Sequence, residues 1–281
     1  MKTKLILEFG CNHNGEMSIA CDMISKANEI GAWGIKFQKR DVESIPGNVK
    51  NIERSLHNSF GKTYYEHRKA LEFSIEEIEA LKNVTEKCGL KFICSVFDLN
   101  SLIDLAAIGC KYIKLPSQLY SNKFLQKELI TLKKTFNCSA MVSTGMHSAE
   151  EILNNGWLDY ADIIFHCISI YPCDISDMNI VFIRALKEMS RRHNNFSVGY
   201  SSHDFEGKGI PFAIAAGAEY IERHFTIDKK MKGSDHSTVS SDMYEIVNII
   251  HSIVEIEEIL GDEKRECNER EKQIRKIYRG F

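Results

Sequence analysis

Eight short apolar or β-branched runs, separated by longer segments of helical periodicity, constrain this chain more than any other feature. The runs are Lys4–Phe9, Trp33–Phe37, Lys91–Val96, Tyr112–Leu115, Ser139–Ser143, Asp162–His166, Ser197–Tyr200 and Glu219–Glu222. Each is built from residue types that fill a strand buried on both faces. Between them, Met17–Ile30 places Ile19, Met23, Ala27 and Ile30 on one stripe, and Ile75–Lys87 does the same with Ile78, Leu81 and Val84. That spacing is the signature of a helix with one apolar face. Gly31 and Gly89 fall where two of these helices should end, the position at which a left-handed residue costs least. Strand–helix alternation predicts a parallel sheet, and eight repeats predict closure into a (β/α)₈ barrel, an α/β TIM barrel of one domain, rather than a doubly wound sheet. The 281 residues match the size of such a domain.

Two regions break the repeat. Residues 40–73 form a polar insertion after the second strand, with Pro46, Gly47 and Gly61 as breakers and a Tyr64-Tyr65 pair. An insertion there overhangs the C-terminal mouth of a barrel as a lid, or packs beside it as a surface excursion. The barrel is expected to span residues 1–260. Residues 261–281 form a charged tail that is solvated or packs on a partner subunit, and no second domain follows.

In a barrel, polar residues at strand C-terminal ends face the mouth, whereas mid-strand residues fill the core. Here the ends carry Glu8, Lys36, Gln38, Asp98, Lys114, Ser117, Ser143, His166, Ser201, His203, Glu222 and His224. So many ionisable groups around one opening point to chemistry. Lys36 and Lys114 close otherwise apolar strands, and a buried lysine requires an anion. That anion is either Glu8 or Glu222 inside the barrel, or a phosphate or carboxylate ligand held with the hydroxyls of Ser117, Ser143 and Ser201. His203 and His224 end consecutive strands, where their rings either share a divalent metal or act as hydrogen-bonded site histidines. His236, in Gly233-Ser234-Asp235-His236, follows on the same side as a substrate-binding candidate. Asn12-His13-Asn14, flanked by Gly10 and Gly15, suits close backbone approach to a ligand.

Other classes lack support. A net charge of −3 gives no footprint for nucleic acid or an anionic membrane. No stretch approaches the roughly 20 apolar residues of a membrane helix, and the first strand is too short for a signal peptide. Nine cysteines without a CxxC pair read as reduced thiols of a cytoplasmic protein, Cys11 and Cys167 near the mouth included. No GxSxG, HExxH or GxGxxG occurs, and Gly207-Lys208-Gly209 lacks the spacing of a phosphate loop.

Taken together, the strand-end blocks resemble the N-acetylneuraminate (sialic acid) synthase family, which includes the pseudaminic and legionaminic acid synthases. The matching blocks are Glu8-Phe9-Gly10-Cys11-Asn12-His13-Asn14-Gly15, Ile35-Lys36-Phe37-Gln38, Tyr112-Ile113-Lys114-Leu115-Pro116-Ser117 and Ser143-Thr144-Gly145-Met146. His166–Pro172, Val198–His203, Ile221–Thr226 and Gly233–His236 follow in family order. The resemblance implies that Lys36, Lys114, Ser117, Ser143 and Ser201 hold phosphoenolpyruvate. It implies that His203 and His224 bind a divalent metal, usually Mn²⁺. Glu8, Gln38, Tyr171 and Asp235 match positions near the sugar or the reacting centre, and Glu8 or Glu222 handles protons. The implied reaction condenses phosphoenolpyruvate with a sugar aldehyde, N-acetylmannosamine or a related aldose, to give a 3-deoxy-2-keto sugar acid and phosphate. Its setting would be surface-polysaccharide or related glycan synthesis, by a homodimer. Two readings compete with it: another barrel aldolase or lyase working through a Schiff-base lysine, and a degenerate sugar-binding homologue. The family's proline-serine-glycine-glutamate reads Pro116-Ser117-Gln118-Leu119 here, and its serine-aspartate-histidine reads Ser201-Ser202-His203. The chain also ends about where the linker to the family's C-terminal antifreeze-like domain would begin, so that domain is not expected.

Overall fold

The computed structural model describes residues 2–279 except 234, 263 and 265. Ser234 of the Gly233–His236 block, and Gly280 and Phe281 of the tail, therefore lie outside the described residues. Eight parallel strands close on one another in sequence order. They are β1 (Lys4–Gly10), β2 (Gly34–Lys39), β3 (Lys91–Val96), β4 (Tyr112–Leu115), β5 (Ser139–Ser143), β6 (Ile163–Cys167), β7 (Ser197–Ser202) and β8 (Tyr220–His224). The helices are α1 (Met17–Glu29), α2 (Gly47–Lys50), α3 (Tyr64–Leu71), α4 (Ile75–Lys87), α5 (Leu99–Ala107), α6 (Lys123–Phe136), α7 (Ala149–Asn154), α8 (Phe182–Arg192), α9 (Ile210–Ala215), α10 (Asp235–Thr238), α11 (Met243–Leu260) and α12 (Glu269–Arg279). The eight expected strands and the barrel are all present. Several run one or two residues further toward the mouth than the apolar pattern implies, because their last residues are polar yet still paired in the ladder.

Alternation along each strand separates two cores. Outward residues such as Leu5, Leu7, Ile35, Phe37, Ile113 and Ile221 pack under the helices. Inward residues Ile6, Ile93, Met141, Ile163, Phe165 and Tyr220 plug the barrel near its N-terminal end. Two residues further along the same inward faces, the side chains become ionic: Glu8 above Ile6, Lys114 above Tyr112, and Glu222 above Tyr220. The apolar plug thus becomes the dry floor of a polar mouth. Gly31 and Gly89 sit just past α1 and α4 with φ of +71° and +80°, as the sequence leads one to expect.

Between β2 and β3 the chain makes α2 and α3 before the packing helix α4. A capping box starts α3: Thr63 accepts from the Glu66 N–H, and Glu66 in turn accepts from the Thr63 N–H. The insertion is tied down at its ends by Lys39, which meets the Glu72 carboxylate at 3.1 Å and the Phe73 carbonyl at 2.9 Å. The charged tail, expected as solvated or partner-packed, forms α12, whose described residues are all exposed or half-buried.

Candidate active site

Strand register assembles the floor of the mouth. Glu8 pairs across the ladder with Lys36 on one side and His224 on the other, and Ser201 pairs with Glu222. Glu222 is the hub. Its Oε1 accepts from Lys36 at 2.9 Å and from Ser201 Oγ at 2.9 Å, and its Oε2 accepts from Lys114 at 2.7 Å. Lys36 also lies 3.1 Å from Glu8 Oε2, an ion pair off the best hydrogen-bonding angle, while Gln38 donates to Glu8 Oε1 at 2.8 Å. Lys114 has a softer second partner, the Phe165 ring, whose centroid is 3.9 Å from the ammonium. That ring fits only because Gly199 on the next strand has no side chain; a Cβ there would lie 2.5 Å from it.

The four charges balance, two against two, and each is almost fully buried. Desolvation alone would raise the Glu222 pKa, but Lys114 and Lys36 together hold it far below the usual carboxylate range. Burial works against the Lys36 ammonium too, yet Glu222 and Glu8 outweigh it and keep the group firmly charged. For Lys114, burial wins over its single carboxylate, and the pKa falls to about 8.

Above this floor stand the two histidines, ring centroids 5.7 Å apart, with the Tyr171 ring 4.3 Å from His203. Burial, reinforced by His224, pulls the His203 pKa down to about 3, and burial also lowers that of His224. Both rings are therefore neutral at physiological pH. A neutral His203 whose Nδ1 lies 2.7 Å from the Ile168 carbonyl must carry its proton there, which leaves a lone pair on Nε2. His224 Nδ1 is buried without a hydrogen-bond partner. Two neutral imidazoles, one with an orphaned ring nitrogen, fit as ligands of a divalent ion. Among the described residues no cluster of three or more His, Cys, Asp or Glu side chains offers a complete shell, so the remaining ligands would be water or substrate oxygens.

These groups line a cavity of about 330 Å³ together with Gln38, Ser117, Ser143, Tyr171 and Asp235. Of the residues singled out in the sequence, Asp98 and His166 lie outside this lining, and so does His236. His236 is fully buried behind the wall, with Thr226 Oγ1 at 2.7 Å from Nδ1 and Asn14 Oδ1 at 3.1 Å from Nε2. There it ties the β1 loop to the β8 loop. The family's glutamate position, Leu119, is partly buried against the apolar core, while Gln118 reaches the cavity. Ser117 Oγ is 3.2 Å from Cys167 Sγ, so this thiol is part of the wall.

Tyr64 and Arg68 also line the cavity, and sequence reasoning did not single out Arg68. A signal existed. The Thr63-x-x-Glu66 capping box fixes the start of α3, and Tyr64 and Arg68, four residues apart, must then share a face.

Comparison with known proteins agrees with this geometry. The model of the NeuB family matches residues 23–265. The chain is 32% identical to the N,N'-diacetyllegionaminic acid synthase of Legionella pneumophila, over 98% of this chain and 78% of that one. It is also 32% identical to human N-acetylneuraminate-9-phosphate synthase, over 95% of this chain and 75% of the human one. The crystal structure of N-acetylneuraminic acid synthetase from Leptospira borgpetersenii, in complex with citrate, superposes with a TM-score of 0.81 at 29% identity, covering all of this chain and 92% of that one. With the family model covering most of the chain and the barrel shared throughout, this protein belongs to the NeuB family.

Proposed function

We propose that the protein condenses phosphoenolpyruvate with a sugar aldehyde to give a 3-deoxy-2-keto sugar acid and inorganic phosphate. The observation that carries this is the hub at Glu222: two buried lysines and a serine hydroxyl converge on one carboxylate, a set of donors that an incoming phosphate and carboxylate can share. Lys36, Lys114, Ser117, Ser143 and Ser201 hold phosphoenolpyruvate, and Gln38, Tyr171 and Asp235 face the acceptor. C3 of phosphoenolpyruvate bonds to the aldehyde carbon, water adds at C2, and the C2–O bond to phosphate breaks. His203 and His224 would hold a divalent ion, Mn²⁺ by family resemblance, which would supply polarisation of the aldehyde oxygen. Lys36 and Lys114 stabilise the charge of the departing phosphate.

Of the two candidate proton carriers, Glu8 is better placed. Glu222 accepts three hydrogen bonds and stays ionised, whereas Glu8 has one oxygen free of any well-angled hydrogen bond. Glu8 therefore serves as base toward the water that adds at C2, and Glu222 positions the lysines. A Schiff-base route through Lys36 is disfavoured, because its ion pairs with Glu222 at 2.9 Å and Glu8 at 3.1 Å keep the amine protonated. We place the enzyme in the cytoplasm as a homodimer, by resemblance. Exposed Ile175, Val181 and Phe212, which border one apolar groove, support a subunit contact. Among the described residues no helix is long and apolar enough to cross a membrane.

The test is phosphate release from phosphoenolpyruvate with Mn²⁺ and a panel of hexoses and N-acetylated amino sugars, free and phosphorylated. Release that requires an acceptor, and that a chelator and His203→Ala both abolish, is the expected result. If phosphoenolpyruvate does not bind at all, the proposal fails.

A further inference from the structure

Behind the two histidines, on the outer face of β7 and β8, lies a buried polar network that the reaction as described leaves without a task. Alternation points Ser201, Glu222 and His224 into the barrel and turns Ser202 and Arg223 outward, and the ladder sets Ser202 beside Arg223. Arg223 is 1% exposed, and Ser202 and Asp204 are fully buried. A guanidinium in such a place is costly unless its donors are used. Here Nη1 donates to the Asp204 carbonyl at 2.6 Å and to Ser202 Oγ at 3.1 Å, and Nε donates to Ser241 Oγ at 2.9 Å. The Ser202 hydroxyl passes the contact on by donating to Asp204 Oδ1 at 2.5 Å. Tyr200 Oη, at 3.3 Å, and the Gly209 N–H, at 3.1 Å, also donate to this carboxylate.

The partners of this network are not scattered. Ser202 and Asp204 flank His203 in the chain, and Arg223 precedes His224. Ser241, held by Arg223 Nε, donates its own N–H to the His224 carbonyl at 2.8 Å. One guanidinium thus joins the backbone on both sides of His203 to the backbone of His224. His203 has further anchors, its Nδ1 on the Ile168 carbonyl and its own carbonyl on the Cys173 N–H at 2.9 Å. His224 Nδ1 has none, so the place of that ring depends on its main chain. Two imidazoles bind one ion well only when their nitrogens are held at the spacing the ion demands, and outer partners commonly supply that hold.

We infer that Asp204, acting on Arg223 through the Ser202 hydroxyl, is a positioning residue that fixes the spacing of His203 and His224 for a divalent ion. The inference rests on the reading of those two histidines as metal ligands. Ser202 stands where this chain departs from the family's serine-aspartate-histidine block, and the carboxylate joins the network from Asp204 instead.

The experiment is metal binding without substrates. Mn²⁺ is followed by loss of its free-ion paramagnetic resonance signal and Co²⁺ by its visible absorption. The wild type, Asp204→Asn, Ser202→Ala and Ser202→Thr are compared, each with its urea unfolding curve. Asp204→Asn and Ser202→Ala should each weaken Mn²⁺ binding by ~10- to 100-fold and alter the Co²⁺ band. Combining them should cost no more than the larger single loss, because both break the same relay. Ser202→Thr, which keeps the hydroxyl, should bind nearly as the wild type does. Ser202→Ala removes one oxygen and no charge, so it decides the matter even if Asp204→Asn does not fold. Variants that unfold more easily yet bind Mn²⁺ within about twofold of the wild type, with the Co²⁺ band unchanged, overturn the inference, since the network then serves the fold alone. A wild type that binds neither ion overturns the reading of the histidines and takes the inference with it.

Discussion

The floor of the barrel and the helix that borders its mouth solve the problem of buried positive charge in opposite ways. On the floor, Lys36 and Lys114 meet Glu222 and Glu8 at 2.7–3.1 Å, so the charges cancel before any ligand arrives. At the border, Arg40 and Arg68 are as deeply buried, but among the described residues no carboxylate lies within 4 Å of either guanidinium. The floor is built from ladder-paired strands whose alternation fixes which side chains face inward. The border stands on an insertion held by a capping box and one lysine anchor. The difference teaches that the lysines are neutralised by their own carboxylates, whereas the arginines rest on softer partners, a ring, a phenol and a thiol.

Removing the hub should show the largest effect. Glu222→Gln keeps the shape but strips Lys114 of its one carboxylate partner among the described residues and Lys36 of its closer one. Breaking a buried pair in this way typically costs about 3–5 kcal/mol. Here the low end is expected, because Lys114, with a pKa already near 8, can shed its proton. Urea unfolding should show a loss of about 3 kcal/mol together with loss of phosphoenolpyruvate binding. A loss below about 1 kcal/mol would mean that the floor does not depend on charge balance.

A smaller, graded effect separates the two lysines. Burial pulls Lys114 down to about 8, while Lys36 is held above its ordinary value by two carboxylates. Above pH 8 the unliganded protein therefore loses the Lys114 proton and must take it back to bind an anion. Phosphoenolpyruvate affinity should fall by up to about tenfold per pH unit from pH 8 to pH 9.5, with proton uptake visible as buffer-dependent heat. The stability of the unliganded protein should move the other way. Between about 8 and the ordinary lysine value of 10.5 the unfolded chain binds more protons at this group, so stability rises with pH there. An affinity that is flat across the range would show that the two lysines are equivalent.

How far each region was legible in the sequence follows from the same contrast. The barrel was legible because eight apolar runs at regular intervals have few other solutions, and the ends of those runs located Lys36, Lys114, Glu222, His203 and His224 by period alone. The sequence could not decide whether the lysines met glutamates or a ligand; the register of β1, β2 and β8 decides for the glutamates in the unliganded protein. For His236 the sequence shows a polar residue in a loop near the mouth, but not that its ring spans two loops from behind the wall. Arg68 escaped notice because an insertion has no strand period to aim its side chains. Only the local capping signal at Thr63 and Glu66 carried that information.

The smallest expected effect is the one that separates the two regions most sharply. Arg68→Met replaces a buried guanidinium, with no carboxylate within 4 Å among the described residues, by an apolar chain of similar reach. If Arg68 were a structural cation like the lysines, losing it would leave a carboxylate stranded, at a cost of several kcal/mol. Among the described residues no carboxylate lies within 4 Å of its guanidinium to be stranded, and the hydrogen bond lost is to the Cys11 thiol. The desolvation cost of the guanidinium disappears along with that weak bond, and the two terms oppose each other. The unliganded variant should therefore unfold within about 1 kcal/mol of the wild type, in either direction. A loss of about 3 kcal/mol or more in the unliganded protein would place Arg68 with the floor lysines as part of the fold and would remove the distinction between the two regions.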